Sequence, residues 1–181
     1  MDALQAIRDR HSVRSYKKEP VAQDKVEALV AAANSAPYAG AFHITAVLDS
    51  SILEGLEETT LAAMRESPLQ FLRDLAETPG YRPLYEAPSM LIFSAPAANP
   101  FGLANCANAA TTGAIAGTAL GLGTCFVVTP TLALNRDKAL CKKLGVPDES
   151  QVHCCLLFGH TDDPEAGRKP RDLGDNCNYY K

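Results

Sequence analysis

The sequence predicts an α+β fold, an α/β sandwich with helices on both faces of a central sheet, from three observations. Apolar strand-like runs alternate with segments of helical period. Those runs are continuously apolar rather than alternating, so each strand must be covered above and below. With 181 residues, 46% of them hydrophobic, the chain is long enough for one substantial core and short for two. A single domain over residues 1–181 is therefore expected.

Leu4 and Ile7 mark a short amphipathic first helix that stops before a basic cluster. Pro20 and Gln23-Asp24 precede Val26, Leu29, Val30 and Ala33, the i, i+3, i+4, i+7 pattern of a second helix ended by Pro37. A β-rich run from His43 to Leu48 follows, and Ser51 with Glu54 three residues on has the form of a capping box for a third helix. Ser67 and Pro68 open a fourth, carrying Leu69, Phe71, Leu72 and Leu75, before a loop from Thr78-Pro79-Gly80 to Pro83. Pro88 introduces the strand Met90-Leu91-Ile92-Phe93.

From Phe101 to Leu120 the chain reads as a helix with Gly113, Gly117 and Gly121 four apart. Small residues at that spacing permit close helix approach, and a helix without charge on any side should be buried. A dimer helix packed on a second copy is the preferred reading, a core helix of one chain the alternative. Cys125-Phe126-Val127-Val128 is a buried-type strand, Asn135 is placed to cap a helix from Arg136 to Leu144, and Val152 to Phe158 is the last strand. The count is four strands and six helices.

A net charge of −4 excludes broad attraction to nucleic acid or anionic lipid. Residues from Asn99 to Asn135 carry no charge, but Gly121-Leu122-Gly123-Thr124 and Pro130 divide them into helix and strand, so no membrane span is expected. The first residues lack a cationic stretch followed by an apolar one, which fits a cytoplasmic chain starting at Met1. Six cysteines without a C-x-x-C pair read as structural thiols, with metal binding or redox pairing the alternatives. No dinucleotide, Walker, nucleophile-elbow or zinc motif is present.

Arg10-His11-Ser12-Val13-Arg14 places two guanidiniums, an imidazole and a hydroxyl within five residues. In extended chain Arg10, Ser12 and Arg14 share a side. Forked arginine donors and a hydroxyl suit phosphate oxygens, with His11 contributing through ring or backbone. A second basic group, Arg168-Lys169-Pro170-Arg171, follows the last strand. Each group alone reads equally as a solvated loop.

Arg10-His11-Ser12-Val13-Arg14-Ser15-Tyr16 resembles the R-x-S-x-R-x-[FY] opening of the nitroreductase family of FMN enzymes, and Asn34-Ser35-Ala36-Pro37-Tyr38-Ala39 its A-x-x-A-P-S-x segment. Ala87-Pro88-Ser89-Met90-Leu91-Ile92 is similar to its A-P-x-x-I strand, and Ala119-Leu120-Gly121-Leu122-Gly123-Thr124-Cys125 to its L-G-L-G-[ST] turn. Leu156-Leu157-Phe158-Gly159-His160 with Lys169-Pro170-Arg171 resembles its final strand and K-x-R. The match spans nearly the whole chain in order.

This resemblance implies a nitroreductase-like fold with a mostly antiparallel sheet and a homodimer with flavin at the subunit interface. It implies that Arg10, His11, Ser12, Arg14, Lys169 and Arg171 meet the FMN phosphate and ribityl chain. Pro37, Tyr38 and Ala39 would border the ring from the partner subunit, and the backbone at Val128 and Thr129 would reach its N5 edge. The implied activity is an NAD(P)H-dependent FMN oxidoreductase acting on nitroaromatics, quinones or another electron-poor small molecule. A flavin-binding or electron-transfer protein of the same fold, without NAD(P)H-driven activity, is the alternative.

The sequence departs from the family where Gly40-Ala41-Phe42-His43 stands in place of Asn and Gln-Pro-Trp, where Tyr38 replaces Ser, and where Thr111 and Thr112 replace amide residues. His43, His153 and His160 read as structural histidines, with proton donation the lesser alternative. Tyr81, Tyr85 and Phe71 lie around the middle loop, where the family has a variable lid; packing is the simpler account.

Overall fold

The computed structural model describes residues 1–165, 167–169 and 177–180. Helices α1 (Ala3–Asp9) and α2 (Gln23–Asn34) precede strand β1 (His43–Val47), and α3 (Ser50–Arg65) and α4 (Gln70–Ala76) precede β2 (Ser89–Pro96). Then follow α5 (Gly102–Ala119), β3 (Gly123–Val127), α6 (Thr131–Leu134), α7 (Lys138–Lys143) and β4 (Ser150–Gly159). The four strands form one sheet in the order β1-β2-β4-β3, with every neighbouring pair antiparallel. The α+β sandwich expected from the sequence is the observed fold.

Alternation along the strands divides the core in two. Leu91, Phe93, Cys154, Leu156 and Phe158 point to one face, where they pack with Leu29 and Ala33 of α2 and Ala109, Ala110 and Ala114 of α5. Met90, Ile92, Cys155 and Leu157 point to the other, against Leu53 and Leu56 of α3, Leu134 of α6 and Cys141 of α7. Both faces are dry, so the strands need no polar side and read as unbroken apolar runs. Opposite Phe93 and Ser94 the register slips by one residue, skipping His153. A bulge of this kind turns the following side chains to the other face, which is why Val152 and Cys154 belong to different halves of the core.

Five local expectations change. Leu4 and Ile7 face solvent, and the small Ala6 is the residue by which α1 enters the core. The third helix is capped by Asp49, whose carboxylate accepts from Ser51 N at 2.9 Å and Ser51 Oγ at 2.6 Å, because the helix starts one residue before Ser51. Asn135 does not cap the following helix: it ends α6, and its side-chain amide pairs reciprocally with the backbone of Val152, at 2.9 Å each way. Asp137 caps α7 instead, and α6 is the helix the sequence did not suggest.

The glycine face of α5 packs within the chain. A Cβ at Gly113 would lie 3.3 Å from Leu156 and 3.4 Å from Ala33, and one at Gly117 would lie 2.5 Å from Thr124. The small residues thus let α5 settle on α2 and the sheet, so this face is not available for a second copy. No helix among the described residues is long and apolar enough to cross a membrane.

Candidate functional site

The N-terminal basic segment leaves α1 at Asp9 and runs along the edge of β3. Val13 anchors it, with a buried side chain and an N–H that donates to Thr124 O at 2.9 Å. Farther on, Tyr16 Oη donates to Val13 O at 2.8 Å and Lys17 N to His160 O at 2.8 Å. Val13 fits because residue 123 is glycine: a Cβ there would lie 2.8 Å from Val13 Cγ1. With Val13 turned inward, Arg10, Ser12 and Arg14 turn outward together, as the period of extended chain requires.

These three side chains and His11 line one wall of a cavity of about 1010 Å³. The facing wall is the loop after β4, with Glu165, Gly167, Arg168 and Lys169. Arg168 ties the walls together, donating to Asp9 Oδ1 at 2.7 Å and to Glu165 Oε2 at 2.7 Å. Asp9 is also held by Gln5, and the Gln5 hydrogen bonds, followed by Arg168, keep its carboxyl below the ordinary value of 3.8. Arg10 and Lys169, far apart in sequence, face the same space. Arg171 lies outside the described residues.

His11 gives a sharper measure of what the cavity suits. Its Nδ1 lies 2.9 Å from Asp9 O, an acceptor, so Nδ1 is the donor there and, in the neutral ring, Nε2 has the lone pair. That Nε2 is buried without a hydrogen-bond partner. A buried polar atom of this kind calls for a ligand or water. Arginine, lysine and serine donors beside an imidazole acceptor match a molecule with both phosphate oxygens and hydroxyl groups.

Two other predicted groups lie elsewhere on the chain. Val128 is exposed and Thr129 half-buried, just beyond β3. Pro37, Tyr38 and Ala39 do not line the cavity; they sit beside the N-terminal half of α5, held by asparagines. Asn105 Nδ2 donates to Ala39 O at 2.8 Å and its Oδ1 accepts from Ala39 N at 3.0 Å. Asn99 donates to Ala39 O and Ala41 O, and Asn108 to Pro37 O. From Asn105 to the end of α5 at Ala119 is about 20 Å at 1.5 Å per residue. In one chain, then, the 37–39 loop and the basic segment occupy opposite ends of α5.

Sequence reasoning missed Arg168 as the clamp and the three asparagines as the support of the 37–42 loop. Positions 111 and 112 are threonines; the amides of α5 stand at 105 and 108, one helical turn apart on an uncharged helix, a spacing that is itself a signal. Of the histidines, His43 is exposed on the edge strand β1 and His160 lies near Glu19. His153 sits in the bulge against Gly102, and burial lowers its pKa. None of the three lines the cavity. Phe71 is exposed. Five cysteines are buried, and burial pushes the Cys106 thiol up to about 11.

A model of the nitroreductase family matches residues 7–160. No curated protein matches the chain. Among solved structures, a nitroreductase with bound FMN from Bacteroides fragilis is 25% identical with a TM-score of 0.88, covering 100% of both chains. A nitroreductase with bound FMN from Desulfitobacterium hafniense is 26% identical with a TM-score of 0.86, again over 100% of both. A BluB-like flavoprotein from Clostridium difficile shares the fold at 17% identity and a TM-score of 0.80, over 100% of both.

Proposed function

Because the chain belongs to the nitroreductase family, we propose that it binds FMN in the cavity between the Arg10–Arg14 segment and the 165–169 loop and works as an FMN-dependent oxidoreductase. The observation that carries this reading is the lining of that cavity, where Arg10, Ser12, Arg14 and Lys169 converge beside the unpartnered His11 Nε2. Arg10 and Lys169, with Arg171 outside the described residues, would hold the phosphate, while Ser12, His11 and Arg14 meet the ribityl chain. The chemistry a bound flavin supplies is transfer of an electron pair from NAD(P)H to a nitroaromatic, a quinone or another electron-poor small molecule.

The working form in this reading is a cytoplasmic homodimer, each chain one FMN-binding domain over residues 1–181. The separation of about 20 Å along α5 supports it. In such a dimer Pro37, Tyr38 and Ala39 of the second copy would border the ring near Val128 and Thr129. Phe101 and Leu103, exposed at the start of α5, give that copy an apolar surface to cover.

The test compares FMN with riboflavin, which lacks the phosphate. Arg10→Gln and Lys169→Gln should each weaken FMN binding about tenfold and leave riboflavin binding unchanged, since a charge-assisted contact contributes about 1.5 kcal/mol. An unchanged FMN affinity in both variants would sink the convergence. Anaerobic addition of NADPH or NADH should bleach the yellow protein; retained flavin that neither bleaches would transfer the reading to a flavin-binding or electron-transfer protein of this fold.

A further inference from the structure

The loop between α4 and β2 holds two consecutive non-glycine residues in the left-handed region, Tyr85 at φ 52° and Glu86 at φ 55°. Side chains adopt that conformation only where their surroundings impose it. The imposing group is the carboxylate of Glu57 on α3, which is buried. Its Oε2 accepts from Arg82 Nε at 2.8 Å, its Oε1 accepts from Leu84 N at 3.0 Å, and Arg82 also pairs with Glu86. One buried carboxylate therefore latches the chain from Arg82 to Glu86.

The latch places two rings behind Arg14 of the cavity wall. The Arg14 guanidinium lies over the Tyr85 ring, 5.7 Å from its centre. Tyr81 meets Tyr85 edge-on, with centroids 6.2 Å apart and planes at 89°. The Tyr81 phenol also interacts electrostatically with the side chains of Tyr85 and Thr129. A line of side chains, Arg14, Tyr85, Tyr81 and Thr129, thus leads from the cavity wall to the segment just beyond β3. Burial raises the pKa of the Tyr81 phenol, so at neutral pH it is a neutral donor.

We infer that Tyr85 and Tyr81, anchored by Glu57, are positioning residues for the isoalloxazine end of the flavin, holding Arg14 and Thr129 in a fixed relation rather than forming a movable lid. The inference rests on the FMN reading above. It assigns the two tyrosines to the half of the ligand without phosphate, which separates their effect from that of Arg10 and Lys169.

The experiment titrates the full-length protein and its Tyr85→Phe, Tyr81→Phe and Glu57→Gln variants with FMN and with riboflavin, recording affinity, visible absorption spectrum and flavin midpoint potential. Loss of one hydroxyl should weaken both ligands by the same factor, about fivefold. The visible band and the potential should shift, which a purely structural role would not do. Glu57→Gln should move all readouts in the same direction. Should it fail to fold, the two tyrosine variants, which keep their rings, decide the matter. Unchanged affinity, spectrum and potential in both would overturn the inference and leave the FMN reading standing. A parent protein that takes up neither flavin would overturn the FMN reading itself.

Discussion

The two ends of α5 hold their functional segments by different physics. At its C-terminal end the Arg10–Arg14 segment is seated by packing, with Val13 buried against Gly123 and one ladder-like hydrogen bond to Thr124. At its N-terminal half the 37–42 loop buries little, and asparagine side chains pin its backbone. Packing is intolerant of added volume but indifferent to the loss of a polar group. A polar pin behaves the other way, and water can replace it where the backbone is exposed. Each end should therefore fail under a different kind of substitution.

Gly123→Ala has the largest expected effect. The new Cβ would lie 2.8 Å from Cγ1 and 3.1 Å from Cβ of Val13, a short branched side chain without a flexible end to swing aside. Overpacking of this kind costs about 2 kcal/mol, to be read as a lower midpoint in urea unfolding. Flavin affinity should fall as well, because displacing Val13 carries Ser12 and Arg14 with it. Normal affinity in a destabilised variant would show that the basic segment keeps its place without this seat.

That contrast also decides what could be read in the sequence. The basic segment was legible because its chemistry lies within five consecutive residues and its alternation follows from chain geometry alone. The glycines of α5 and of the turn after it were legible as small residues, yet their purpose at 117 and 123 depends on Thr124 and Val13, contacts that only folding creates. The loop pins join residues 58 to 71 apart in sequence, so no local pattern announces them. Glu57 reads as one more acidic residue on the third helix; its burial and its hold on Arg82 and Leu84 appear only once α3 packs on the loop before β2.

Asn105→Ala tests the other end with a smaller effect. It removes both hydrogen bonds to Ala39, but Ala39 is exposed, so water can take them over and the loss should be about 1 kcal/mol. Amide exchange at Ala39 should accelerate. If the loop reaches the flavin of a second copy, FMN and riboflavin affinities should fall together, about threefold, with their ratio preserved. A change in that ratio would mean that the two ends of α5 are not independent.

The smallest expected effect concerns the clamp that closes the basic end. Asp9 has a folded pKa below the ordinary 3.8, owing first to Gln5 and then to Arg168. A lowered carboxyl pKa stabilises the folded state above the unfolded value and loses that contribution as pH falls through the folded one. The Asp9 to Arg168 bridge should thus be intact at neutral pH and open only below about pH 4. Because Asp9 titrates in contact with solvent, global stability at pH 7 should barely change in Asp9→Asn. Local order should change: deuterium uptake from 165 to 169 should rise in the variant at pH 7 to the level the parent protein reaches in acid. It should then show little further dependence on pH. Equal uptake in the two proteins at pH 7 would mean that the loop keeps its order without the Asp9 bridge, with Glu165, the other partner of Arg168, sufficient to hold it.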